Sequence, residues 1–171
     1  MSASLILVLG YQTVWAIAES IAVSRARGDI SGGAMRFPLM VGGICFLFAV
    51  VTTVEAAQRG MGSIEISTTA LAIVFGLTGL GFRIAAIREL GPWFRDSIDF
   101  VRGQPLVQTG IYRFLKHPAE IGFLLLLAGF LMLAPGIPGV CLLLLLAGLS
   151  IFRMSMENRL MAALVAGGDR A

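Results

Sequence analysis

The chain holds one histidine, His117, and it stands in a polar run, Gln108-Thr109-Gly110-Ile111-Tyr112-Arg113-Phe114-Leu115-Lys116-His117-Pro118-Ala119-Glu120. Gly103, Pro105, Gly110 and Pro118 forbid a continuous helix here. Main-chain amides and carbonyls are therefore left free to bind a polar ligand at a membrane surface. Pro118 suits the opening position of a helix. Glu120 then falls in the first turn, at the positive end of the helix dipole, and taken alone it reads most simply as a cap. A second polar group lies further on: Arg153 and Glu157 are four residues apart, share a helix face and can pair. Ionisable residues at the edge of an apolar span are costly and point to function by default. The plainer alternative is an arginine snorkelling at the membrane boundary. A metal centre is not expected, because one histidine without a cysteine cluster is a poor ligand set. A Ser–His–Asp hydrolase would need a Gly-x-Ser-x-Gly elbow, which is absent.

The elements that must position these groups are helices in a bilayer. The 171 residues are 57% hydrophobic and 13% charged, with a mean hydropathy of +0.89. Soluble domains carry about 25% charged residues, and a sphere of this size could not hide so much apolar surface. Disorder is excluded by the same composition. One compact membrane domain, residues 1–171, follows from the length. Cys45 and Cys141 both sit in apolar runs and read as packing residues. The N-terminus lacks a basic segment before its long apolar stretch, so that stretch reads as a retained span rather than a signal peptide.

Crossing the hydrocarbon takes about 20 mostly apolar residues. Residues 4–23, 37–57 and 66–87 meet that length, and 88–118 form a polar loop. Residues 120–152 are apolar but broken by Ala134-Pro135-Gly136-Ile137-Pro138-Gly139, a strong turn signal. The break predicts a helical hairpin, 120–134 and 138–156, and so an all-α, polytopic fold of about five spans. The leucine runs 124–127 and 142–146 read as lipid-facing. With five spans, twelve of the thirteen Lys and Arg residues fall on one side, and Arg59 alone on the other. That asymmetry puts the N-terminus outside and the C-terminus in the cytoplasm, most simply of a bacterial inner (plasma) membrane. It also explains the basic pI of about 9.4 without nucleic acid. No internal repeat suggests a transporter, and no span carries the polar face of a channel. Within the loop, Trp93, Phe94, Ile98, Phe100 and Val101 alternate with charges as in a segment lying in the headgroup plane. Because the hairpin returns to its starting side, His117 and Glu120 must emerge level with Arg153 and Glu157.

The stretch Pro105-Leu106-Val107-Gln108-Thr109-Gly110-Ile111-Tyr112-Arg113, then Lys116-His117-Pro118 and Gly122, resembles a pattern Leu-Val-x-x-Gly-x-Tyr-Arg, Arg-His-Pro and Gly. The later Arg153-Met154-Ser155-Met156-Glu157-Asn158-Arg159-Leu160 resembles Arg-x-x-x-Glu-Glu-x-Leu. Together they are similar to the isoprenylcysteine carboxyl methyltransferase-like membrane enzymes, relatives of the phospholipid methyltransferases. The likeness covers about residues 88–164, and the first three spans match only in being apolar.

The resemblance implies S-adenosylmethionine as methyl donor, bound in a cytoplasm-facing site made by the loop and the last two helices, and a lipid-like acceptor arriving from the bilayer. It assigns Gln108, Gly110, Tyr112, His117, Pro118 and Glu157 to the cofactor. Arg113 and Arg153 would organise the site or the acceptor. The donor needs a carboxylate for its ammonium, hydrogen-bond donors for its carboxylate and an aromatic face for adenine. Glu157, the loop amides, and Tyr112 or Trp93 could supply these. A carboxylate or thiolate acceptor needs no base; an amine would have to lose a proton, with Glu120 the candidate base. The pattern's Tyr after His-Pro-x is Glu120 here, its second tail Glu is Asn158, and Lys116 replaces an Arg. The Glu120 and Asn158 exchanges move a carboxylate between helices, a change that bears on the acceptor. The sequence ends at Ala171 where the pattern continues Gly-x-x-Tyr-x-x-Tyr, so a more open site is expected. The alternative reading is a non-catalytic scaffold or subunit that keeps the fold.

Overall fold

The computed structural model describes residues 3–25, 36–58, 65–94 and 107–168. They form five α-helices: α1 (Ala3–Arg25), α2 (Arg36–Gln58), α3 (Ile66–Leu90), α4 (Pro118–Leu133) and α5 (Ile137–Gly168). Single 3-10 turns cover Gly91–Trp93 and Gly110–Arg113, and among the described residues there is no strand. Helices Leu39–Gln58, Ile66–Leu90 and Ile137–Ala162 are each long and apolar enough to cross a membrane. Large apolar side chains such as Phe46, Leu77 and Leu144 are mostly exposed. The protein is an all-α integral membrane protein. Of the expected headgroup-plane segment, Ile98, Phe100 and Val101 lie outside the described residues, as do Arg59 and most of the first loop, whereas Phe94 is buried against Ile87.

The Pro-Gly hairpin forms where the turn signal placed it, between Leu133 and Ile137. Three bounds differ from the sequence reading. Helix α3 runs through Arg88 to Leu90 and stops at Gly91, whose φ of +52° no other residue type adopts cheaply. Helix α4 begins at Pro118 and has 16 residues, about 24 Å, against about 30 Å of hydrocarbon. Helix α5 has 32 residues and continues past residue 156 to Gly168. Low hydropathy ends an apolar span but not a helix, and the strong helix formers from Met154 to Ala166 contain no breaker.

The short helix α4 is the centre of the bundle, not a lipid-facing helix as its leucines suggested. Leu126, Leu127, Phe123 and Phe130 are buried against Cys45 and Phe48 of α2 and Leu146 of α5. Tyr11 and Trp15 of α1 stack edge-on or tilted against Phe130 and Phe123. Cys141, read as a packing residue, is exposed on α5.

Small residues set the tightest contact. A Cβ on Gly79 of α3 would lie 2.5 Å from the Gly122 carbonyl of α4, and one on Gly122 would lie 2.5 Å from the Gly79 carbonyl. The two backbones therefore touch, as small-residue faces allow in membranes. One and two turns away, Gly76 and Gly129 make room for the Tyr11 ring, whose hydroxyl donates to the Ala72 carbonyl at 3.4 Å. On the opposite side Gln12 Nε2 donates to Ala49 O at 3.0 Å and Thr53 Oγ1 at 3.1 Å, tying α1 to α2.

Candidate functional site

The site is built where α3, α4 and α5 meet, at the ends remote from the hairpin. The chain enters it through the turn at Gly110, whose φ is +55°. A Cβ at Gly110 would lie 2.6 Å from Glu89 Oε2, and Thr109 Oγ1 donates to the same carboxylate. Glu89, in the last turn of α3, thus fastens the loop. The sequence reading did not single it out, since nothing in its spacing marks a contact twenty residues away. The loop then closes on itself through Tyr112 N–H to Thr109 O and Leu115 N–H to Ile111 O, both 3.1 Å. His117 is the last non-helical residue, and its carbonyl accepts from Ile121 N–H at 3.2 Å. Pro118, buried, starts α4 as expected.

Four ionisable side chains then meet between α4 and α5. Arg153 Nε donates to Glu157 Oε1 at 2.9 Å along α5, and its Nη1 reaches Glu120 Oε1 of α4, also at 2.9 Å. His117 Nδ1 lies 3.3 Å from Glu157 Oε2, and its Nε2 lies 3.3 Å from Asn158 Oδ1. Arg153 and Glu120 are 13% and 10% exposed, so these are largely desolvated charges that hold only while paired. The spacing of Arg153 and Glu157 anticipated one of these contacts. Glu120, read alone as a cap, is Arg153's other partner.

Both ring nitrogens of His117 face acceptor oxygens, and a neutral imidazole has only one N–H to offer. The hydrogen bond to Glu157 raises the His117 pKa above its ordinary value; burial opposes it, while the Glu157 charge, Asn158 and Glu120 add to the rise. The imidazolium satisfies both partners. Tyr112 is half-buried, and burial first, then the Glu157 charge, pushes its phenol upward. It stays neutral at physiological pH and feels the charges of Arg153, Arg83 and Glu120 as well.

Arg83 is a second residue that the sequence reading used only to count charges. It is 5% exposed in α3. Its Nη1 donates to Ala119 O at 3.4 Å, and its guanidinium lies 5.7 Å from the ring centroids of both Phe94 and Phe123. It therefore ties α3 to the first turn of α4, between His117 and Glu120. A buried arginine late in an apolar span was the signal available.

Other expected site residues lie at the rim. Arg113 is exposed with its guanidinium 5.9 Å from the Phe114 ring centroid, and Gln108, Gly110 and Lys116 are exposed. The arrangement is a charge-balanced lining: two carboxylates, one guanidinium and one imidazolium. An exposed run of loop backbone and a neutral phenol lie beside it. The donor set fits a ligand bearing ammonium, carboxylate and an aromatic ring.

The family model for the isoprenylcysteine carboxyl methyltransferase (ICMT) family matches residues 70–163, more than half of the chain. The match starts inside α3, earlier than the motifs alone suggested, and takes in Arg83, Glu89, the loop and the whole α4–α5 cluster. No curated protein and no solved structure matches the chain.

Proposed function

The chain belongs to the isoprenylcysteine carboxyl methyltransferase family of membrane methyltransferases, and we propose that it transfers a methyl group from S-adenosylmethionine to a hydrophobic or lipid-like acceptor that enters from the bilayer. The observation that carries this reading is the joining of the family's two motifs by His117–Glu157 and Glu120–Arg153, at 3.3 and 2.9 Å. When bound, the cofactor supplies an electrophilic methyl on a sulfonium.

The chain's own groups divide the remaining work. Glu157 takes the ammonium group of the cofactor. The loop backbone around Gln108 and Gly110 takes its carboxylate, and the neutral Tyr112 ring faces the adenine. His117 holds the Glu157 carboxylate in place, and Pro118 fixes where the loop ends and α4 begins. Arg153, anchored by two carboxylates, and Glu120 line the acceptor side, with Arg113 at the mouth. Displacement at a methyl group demands alignment, so positioning carries most of the catalysis. The cluster faces the cytoplasm in this reading, with the N-terminus outside and the chain in a bacterial inner membrane, because the charge asymmetry favours that orientation.

Calorimetric titration of S-adenosylmethionine into the detergent-purified chain tests the proposal. Saturable binding is expected, weakened about tenfold or more in Glu157→Ala and His117→Ala, as for the loss of a charge-assisted hydrogen bond. Absence of binding at millimolar donor would leave the non-catalytic scaffold.

A further inference from the structure

The outer faces of two helices mark where the hydrocarbon ends. On α3 the outward stripe Val74, Leu77, Gly81 and Ile84 gives way to the exposed Arg88. On α5 the exposed Leu144, Gly148, Ile151 and Phe152 give way to Ser155 and Arg159. Both changes fall within about one turn of the level where Arg83 meets Ala119 O and Arg153 meets Glu120. Glu89, which holds Thr109 and Gly110, lies six residues past Arg83 along α3, a rise of about 9 Å. The headgroup layer adds about 5–8 Å on each side of the hydrocarbon. The stretch from Gly110 to Pro118 therefore crosses that layer and little more.

Phe114 stands midway in this crossing, four residues from either end, and is 80% exposed. Such a ring gains nothing in water, whereas at headgroup depth it packs among the upper acyl carbons. The turn presents it firmly, since the N–H groups of Phe114 and Leu115 both donate to Ile111 O, at 3.2 and 3.1 Å. Arg113 keeps its guanidinium 5.9 Å from the ring centroid, and Lys116 is exposed close by. Among the described residues, the exposed charges of this layer are Arg88, Arg113, Lys116 and Arg159 against Glu89, whose carboxylate Thr109 occupies. The surplus is positive, and a lipid phosphate is the counter-charge a leaflet offers at that depth.

We propose that the turn from Arg113 to Lys116 is a docking surface for an anionic phospholipid, with Phe114 among its upper acyl carbons and Arg113 and Lys116 on its phosphate. The bound lipid pins the loop that carries Tyr112 and His117 to the membrane surface. The surface stands on the membrane fold and the placement of charge, and requires no methyl transfer.

The test uses the full chain in lipid nanodiscs made of phosphatidylcholine with a minor share of phosphatidylglycerol. Phe114→Trp is read as the difference in fluorescence from the parent chain, which carries Trp15 and Trp93. Bromine on the upper acyl carbons of phosphatidylglycerol is expected to quench that difference signal more than bromine at the same positions and mole fraction on phosphatidylcholine. In the same background, Lys116→Gln and Arg113→Gln should each lower the preference about fivefold. Lys116→Arg, which keeps the charge, should hold the preference and report on folding. Millimolar glycerol 3-phosphate should not compete. A signal that bromine on neither lipid quenches would place the ring in water. That result, equal quenching by the two lipids, a preference unaltered in the double glutamine variant, a loss in Lys116→Arg as large as in Lys116→Gln, or relief by glycerol 3-phosphate would each overturn the proposal.

Discussion

Glu120 and Arg153 face each other at 2.9 Å across the contact between α4 and α5, one from the first turn of its helix and the other sixteen residues past the hairpin turn. Arg153 also holds Glu157 at 2.9 Å. The guanidinium is therefore shared by both carboxylates, Glu157 being held by His117 as well, and the two helices are joined through it at the end that carries the site.

Replacing that guanidinium should cost more than replacing either carboxylate. Arg153→Met removes the ion pair of Glu120 and leaves Glu157 to His117 alone, whereas Glu120→Gln leaves Arg153 still paired with Glu157. Breaking a buried pair costs about 3–5 kcal/mol. Arg153→Met is expected to fall toward that range and Glu120→Gln well short of it. Thermal unfolding of both variants in the same detergent checks the order; equal losses would mean that Arg153 is not shared.

The His117 contact should weaken as pH rises. Its folded pKa lies above the ordinary 6.5, chiefly through the hydrogen bond to Glu157. A raised folded pKa contributes stability that is fully present below the unfolded value and is lost as pH climbs through the folded one. Thermal midpoint and donor affinity are therefore expected to decline from neutral into mildly alkaline pH, and to be flatter in His117→Gln. Because the chain has one histidine, its imidazole resonance can be titrated by NMR directly. A midpoint at or below 6.5 would contradict the pairing.

The contact of α3 with α4 should tolerate no side chain at its centre. Gly79→Ala and Gly122→Ala each place a methyl group 2.5 Å from a facing carbonyl oxygen, and backbone on both sides cannot yield locally. Overpacking of this kind costs about 1–3 kcal/mol. Gly42→Ala, with nothing within 4 Å of the new Cβ, is the control. Loss of donor affinity in the first two variants but not in the control would show that the helix contact holds the site in register.

Hydropathy and the Pro-Gly turn were enough to read an all-α membrane protein, the order of its helices and the return of the last hairpin to one side. The i, i+4 spacing of Arg153 and Glu157 was enough for their pair. These readings succeed because each rests on a short-range property: apolar run length, turn chemistry, helical repeat.

The rest depends on how helices are rotated about their own axes, which no local spacing encodes. The rotation of α4 follows from the backbone contact of Gly79 with Gly122 and from Arg83 holding the Ala119 carbonyl. That rotation turns the leucine-rich face of α4 inward, and it points Glu120 at Arg153 rather than at its own helix end. The fastening of Gly110 by Glu89 is likewise a meeting of distant segments. Residue types and order settle which groups are available and at which end of the bundle they emerge; close packing of α3 on α4 settles which of them touch, because two backbones in contact leave each neighbouring side chain a single direction to go.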